Sequence, residues 1–137
     1  MQTQTADFTY LHGANYISLT TFRKSGEPVV TPVWFAEQDG TIYFYTFPGA
    51  GKLKRIRHTA RVTLAPCTLN GKVTGPSVEG KARILREVQE QAFAEKTLAK
   101  KYGIIWHSYN GLMGALRVLR RRPKPERVYV AIAPAET

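Results

Sequence analysis

Thr41-Ile-Tyr-Phe-Tyr-Thr46, Phe47-Pro-Gly-Ala-Gly51 and Lys52-Leu-Lys-Arg-Ile-Arg-His58 follow one another without a break, and their reading decides the fold. The first piece puts Ile42 and Phe44 on one side and Tyr43 and Tyr45 on the other, a strand covered on both faces. Across Gly49 to His58 the period changes: Leu53, Ile56 and Arg57 fall at helical spacing, which predicts a short helix of about two turns. A strand that feeds a glycine loop and then a helix start directs free N–H groups and a partial positive charge at one place. Gly49 and Gly51 permit close approach of the backbone, and Lys52 and Arg55 stand three apart, so both can face one ligand. No Asp or Glu occurs between Asp39 and Glu79, whereas that interval holds six Lys or Arg. The pattern is not a nucleotide P-loop, because the first glycine is missing and Leu53 stands where Ser or Thr would hold magnesium. Spacing alone also fits a solvated basic helix in a basic protein.

Working outward, Tyr16-Ile-Ser-Leu-Thr-Thr21 alternates and runs into a turn at Ser25-Gly26-Glu27-Pro28. Val29 to Phe35 resumes as a strand with Val29, Thr31, Val33 and Phe35 on one face. Pro32 removes a ladder donor there and places the segment at an edge or a bulge. Gln38-Asp39-Gly40 reads as the hairpin turn that leads into Thr41. Beyond the short helix, Arg61-Val-Thr-Leu-Ala65 returns to strand and Asn70-Gly71 marks a turn. Val78 to Ile84 alternates with Val78, Gly80, Ala82 and Ile84 inward.

After Arg86 the composition becomes helical. Glu87 to Lys101 has no Gly or Pro and stops at Gly103. A second helix is expected with Ile105, Tyr109, Leu112, Leu116 and Leu119 on one face, ended by Pro123 and Pro125. Arg127-Val-Tyr-Val-Ala-Ile132 is the last strand. The expectation is mainly β: a six-stranded antiparallel Greek-key barrel, a short helix after the third strand and two helices before the last. Residues 1–137 read as a single domain, without internal repeat or linker.

The whole chain agrees with that size: 137 residues, 43% hydrophobic and 22% charged, excluding a disordered tail or a coiled coil. Lys and Arg number 20 against 10 acidic residues, a net charge of +10, so an anionic partner is expected. The N-terminus lacks the pattern of a secretory signal. The uncharged stretch from Gly103 to Leu116 is too short and too polar to cross a bilayer. A lone cysteine, Cys67, excludes an intramolecular disulfide and fits a reducing, cytoplasmic setting.

Other constellations carry less. His12, His58 and His107 stand about fifty residues apart with no ligand spacing, so no metal site is expected. Cys67 has no histidine beside it in sequence and reads as an inert buried thiol. Arg117, Arg120 and Arg121 share the polar face of the last expected helix, followed by Arg122 and Lys124. A solvated face is the simpler reading there; a nucleic-acid patch lacks the interleaved aromatic residues.

Tyr16-Ile-Ser-Leu-Thr-Thr-Phe-Arg-Lys-Ser-Gly-Glu-Pro-Val-Val-Thr-Pro-Val-Trp-Phe35, with Gly51-Lys-Leu-Lys-Arg-Ile-Arg57 and Arg61-Val-Thr-Leu-Ala-Pro-Cys67, resembles the pyridoxamine 5′-phosphate oxidase-like superfamily. Within it the sequence is similar to the flavin- and deazaflavin-dependent oxidoreductase branch, closely from Tyr16 to Leu85 and in outline beyond. The resemblance implies an FMN-binding split barrel and a homodimer with two cofactor sites at its interface. By position, cofactor phosphate would lie against Thr46, the backbone of Ala50 and Gly51, Lys52 and Arg55. The ring would rest on Thr31, Pro32 and Val33, and the partner subunit would close the site near Gly75-Pro76-Ser77, with Pro76 and Ser77 in contact.

Two departures stand out. Relatives often carry Ser where Ala50 stands, and many carry Trp where Ser77 stands, a wall that Trp106 could supply instead. The Arg-Leu-x-Pro signature of vitamin B6 oxidation is absent from Arg127 to Thr137. The expected activity is hydride transfer between coenzyme F420 or FMN and a small unsaturated organic substrate, with the cofactor doing the chemistry. The net charge and the run of Lys52, Lys54, Arg55 and Arg57 favour the longer anion, F420. No side chain stands out as a catalytic acid, although Tyr109 and His107 are candidates. The alternatives are a non-catalytic flavin or tetrapyrrole carrier on the same barrel, and a basic nucleic-acid binder.

Overall fold

The computed structural model describes residues 8–11, 13–101 and 126–135. Within them one antiparallel sheet holds β1 (Tyr16–Phe22), β2 (Pro28–Trp34), β3 (Ala36–Gln38), β4 (Thr41–Thr46), β5 (Arg61–Cys67), β6 (Val78–Ile84) and β7 (Val128–Pro134). Helix α1 (Gly51–His58) joins β4 to β5, and α2 occupies residues 88–101. The helix expected from Ile105 to Leu119, together with His12, Trp106 and the cluster from Arg117 to Lys124, lies outside the described residues.

The strand order is β2-β1-β5-β6-β7-β4-β3. Its two edges, β2 and β3, are separated in sequence by Phe35 alone, so the sheet has to curl until its ends meet. β2 touches β4 across this seam. The result is a split barrel, mainly β, as the sequence leads one to expect, with one more strand. The run from Val29 to Phe35 ends at Trp34, Phe35 turns the corner, and Ala36–Gln38 becomes a short strand paired with β4. Three residues are too few for their alternation to be read. Asp39 and Gly40 both have positive φ, 53° and 81°, the geometry of a tight hairpin turn whose twist matches the strands it joins.

Pro32 stands on an edge strand, opposite Ser18 of β1. Pro28 and Pro32 are four apart, so both missing N–H groups lie on one side of β2, tolerable only where no further strand must pair. Inward residues of all seven strands but β3 meet in one cluster, which includes Ile17, Leu19, Val33, Ile42, Phe44, Val62, Leu64, Ala82, Val130 and Ile132. Leu53 and Ile56 of α1 enter it from one end; Phe8 and Leu11 are fully buried in it. A second cluster lies outside the sheet, where Ala94 and Leu98 of α2 cover Leu85, Tyr129 and Ala131 with Tyr43 and Tyr45 alongside. Both faces of β4 are therefore covered, which explains its uninterrupted apolar and aromatic sequence.

Strand register sorts the barrel into two ends. β5 leaves α1 at Arg61, where its partner is Lys81, and by Leu64 it faces Val78. The loop before β6 accordingly sits beyond the far half of β5. There Tyr10 donates its hydroxyl proton to the Pro76 carbonyl at 2.7 Å, and Gly75 packs against the Pro66 ring.

Candidate functional site

Helix α1 starts at the end of β4 opposite the hairpin. Thr46 closes that strand, buried and paired with Val128. A turn follows, in which the Ala50 N–H donates to the Phe47 carbonyl at 2.9 Å. This turn ends at Ala50, and the helix runs from Gly51 to His58, the two turns expected, opening one residue before Lys52. Ala50 is the N-cap, extended at φ −67°, ψ 137°, and its methyl caps nothing. No acidic residue stands in the first turn, while Arg55, Arg57 and His58 stand in the last. The leading N–H groups of a helix have no acceptor inside it, and aligned peptide dipoles make that end positive. Usually Ser, Asp or Glu would answer this polarity; here none does.

Arg55 reaches back over that end. Its Nε donates to Thr21 Oγ1 at 2.6 Å, and Thr21 is buried on the inward side of β1. One terminal guanidinium nitrogen lies 2.9 Å from the position a Cβ on Gly51 would take. Only glycine at 51 leaves room for this. Burial, and then the positive charge of Arg23, hold Arg55 below the ordinary arginine range. Lys52 is also held down, first by burial and then by Arg55. Two cations press on each other at an uncapped helix start.

A groove of about 730 Å³ opens beside them. Gly51, Lys54, Arg55 and His58 form its α1 side; Arg23, Lys24 and Ser25 of the β1–β2 turn form the other. Lys52 is not among its lining residues, so of the two cations expected to face one ligand, only Arg55 enters this groove. Thr21 and the turn residues Arg23, Lys24 and Ser25 are the part that sequence reasoning missed. The available signal was strand phase: Thr21 keeps step with Ile17 and Leu19, a polar residue in an inward position.

The remaining expected residues divide. Thr31 faces Leu19 and Val33 faces Ile17 across β1, with Thr31 about 7 Å along β2 from the position opposite Thr21. Pro32 is exposed on the same edge. Pro76 and Ser77 lie at the far end of β5 and β6, so one copy of the chain does not bring them to α1. Among the described residues no three His, Cys, Asp or Glu side chains gather as for a metal ion. Burial pushes the Cys67 thiol up, which suits an inert thiol. No helix among the described residues is long and apolar enough to cross a membrane.

Comparison with known proteins follows the same line. Among curated proteins no sequence matches significantly. In fold the chain is similar to an F420 reductase: 19% identity, 97% of this chain and 96% of that one covered, TM-score 0.55. A FAD-binding protein from Mesorhizobium loti is similar at 17% identity, covering 99% and 95%, with TM-score 0.60. The heme storage protein of Vibrio cholerae is similar at 11% identity, covering 91% and 84%, with TM-score 0.65. At such identities the likeness is one of fold. A family model described as pyridoxamine 5′-phosphate oxidase matches residues 3–137. With nearly its whole length matched and a split barrel as its fold, the chain belongs to the pyridoxamine 5′-phosphate oxidase family.

Proposed function

We propose that this chain is an oxidoreductase that binds F420 or FMN at the start of α1 and transfers a hydride between it and a small unsaturated organic molecule. One observation carries the reading: an uncapped helix N-terminus without a carboxylate, over which Arg55 is held by Thr21. The donor set suits a phosphate. Free N–H groups at Gly51 and Lys52, an ammonium and a guanidinium are all donors, and the glycine allows an anion to approach the backbone. When bound, the isoalloxazine or deazaflavin ring supplies the hydride chemistry. The chain's own tasks are to hold the phosphate, fix Arg55 through Thr21, and offer the edge of β2 at Thr31, Pro32 and Val33 to the ring.

A homodimer is part of the proposal. Pro76 and Ser77 reach such a site only from a second copy, since in their own chain they lie at the other end of the barrel. The outer face of β2 also leaves Val30 57% and Trp34 36% exposed, with Pro32 between them, an apolar strip available for a partner.

Fluorescence titration of the purified apo protein with FMN and with F420, repeated on Lys52→Ala, tests the reading. Loss of a charge-assisted contact is worth roughly 1.5–3 kcal/mol, an affinity loss of about ten- to a hundredfold. Failure of both cofactors to bind below about millimolar defeats the assignment. A parallel heme titration separates it from a tetrapyrrole carrier, which would bind heme and reduce no acceptor.

A further inference from the structure

The outer face of the sheet carries a second hollow, of about 410 Å³, that shares no lining residue with the groove beside α1. Tyr43 of β4, Ala131 and Ala133 of β7, and Lys81 and Arg83 of β6 shape it. Strand register explains the shape. Tyr43, Ala131 and Arg83 form one row across three strands, and Lys81 faces Ala133 two positions on. Side chains two apart share a face, so all five stand on the outward side. There β7 presents only methyl groups while both neighbours present tall side chains, and the middle strand becomes the floor of a trough. Its walls stand two strand spacings apart, roughly 9.5 Å. Helix α2 covers the Ala131 end and leaves Ala133 exposed.

Two of the walls are already fixed. Both terminal nitrogens of Arg83 donate to the Glu90 carboxylate, at 3.1 and 2.7 Å, so the guanidinium keeps its plane and its charge is answered. What remains for a ligand is its flat face, which stacks well on aromatic rings. Phe93 packs edge-on against Tyr43, ring centres 5.7 Å apart, and holds that ring. Lys81 differs. Among the described residues nothing pairs with its ammonium, and Arg61 stands directly opposite it on β5. Like charges so placed repel, and Arg61 turns instead to Glu79, 3.4 Å away, and to the Phe22 ring. An anion beside Lys81 relieves that repulsion.

We infer that this trough binds a small planar aromatic carboxylate, its ring on the alanine floor between Tyr43 and the Arg83 guanidinium and its carboxylate at the Lys81 ammonium. A bare phosphate would meet Lys81 but leave the alanine floor uncovered. A polyanion would find one cation there whose charge is not already answered by a carboxylate. The inference stands apart from the reading of α1, because the two sites have no residue in common.

Benzoate is the probe, followed on the purified protein by saturation-transfer NMR. Cyclohexanecarboxylate keeps its charge without the flat ring, and benzamide keeps the ring without the charge. Benzoate should bind with a dissociation constant of about a millimolar, and each analogue several-fold more weakly. Lys81→Gln should weaken benzoate about fivefold, the upper worth of an exposed ion pair, and Lys81→Arg should retain it. Ala133→Leu raises the floor and should abolish binding. Lys81 and Ala133 are both exposed, so these variants are expected to fold, which their thermal midpoints check. If Ala133→Leu does not fold, the Lys81 pair decides. Benzoate binding lost in Lys52→Ala but kept in Lys81→Gln assigns the anion to the start of α1 and overturns the inference. Equal binding of benzoate and cyclohexanecarboxylate, full binding in a folded Ala133→Leu, or no saturable benzoate binding up to about 10 mM overturns it as well.

Discussion

Arg55 and Thr21 are 34 positions apart in sequence, yet the Nε of the first donates to the hydroxyl of the second at 2.6 Å. That contact ties the helix after β4 to the end of β1 and fixes where the guanidinium lies. Thr21 is 2% exposed, so water has little access to replace it. Thr21→Val keeps the shape and removes the acceptor. The expected result is a loss of stability of about 1–2 kcal/mol in urea unfolding, together with weaker binding of FMN or F420. Stability loss with unchanged cofactor affinity would separate Arg55 from the site.

Gly51→Ala tests the same guanidinium from the other side. The added Cβ would lie 2.9 Å from an Arg55 terminal nitrogen, the far end of a flexible side chain that can swing away. With only a terminal nitrogen crowded, Arg55 Nε can keep its bond to Thr21, so the fold should survive with a thermal midpoint close to the parent's. Cofactor affinity should fall several-fold as Arg55 is displaced. The diagnostic is affinity lost without stability lost.

Gly80→Ala should behave in the opposite way. Its Cβ would meet Ile132 Cγ2 at 2.6 Å, with the Ala133 carbonyl and the Phe8 ring each at 3.1 Å. Packed core and backbone cannot yield as a surface side chain does, so a loss of roughly 1–3 kcal/mol is expected in urea unfolding. A variant as stable as the parent would show that Ile132 and its neighbours do not crowd Gly80 as described.

Lys101 gives the protein a pH dependence on the alkaline side. It donates to the Ala14 carbonyl and lies 3.6 Å from the centre of the Phe35 ring. Burial lowers its pKa from 10.5 to about 8, and the charge of Glu37 opposes that in part. Below pH 8 both folded and unfolded chains hold the proton. Between about 8 and 10.5 the unfolded chain holds more of it, so the lysine's contribution to stability rises with pH. Relative to Lys101→Met, the parent should therefore gain thermal stability from pH 7 to pH 10. A constant difference between the two across that range would contradict the shift.

Much of the barrel was legible because strand alternation reports solvent exposure directly. Val78 to Ile84 reads as a strand with its inward set correct to the residue, and the Asp39-Gly40 pair announces a turn in which both residues then take positive φ. Pro32 correctly marks an edge, since the missing donor is a local fact with a global consequence. β3 escaped notice because three residues carry no period, whereas α1 opens within one residue of the glycine loop's end.

The candidate site divides along the same line. Gly51, Lys52 and Arg55 are neighbours in the chain, so their gathering at a helix start follows from 3.6-residue geometry and from the absence of acids nearby. Thr21, Arg23 and Lys24 join them only because β1 pairs with β2 and β5 while α1 folds across the barrel end. Pro76 and Ser77 are sent to the opposite end by the register of β5 with β6. The amino-acid sequence by itself determined the local elements, the charge and the helix start, all of which act over a few residues. Which strands lie side by side depends on burying one shared core between distant segments, and only the tertiary structure decided it.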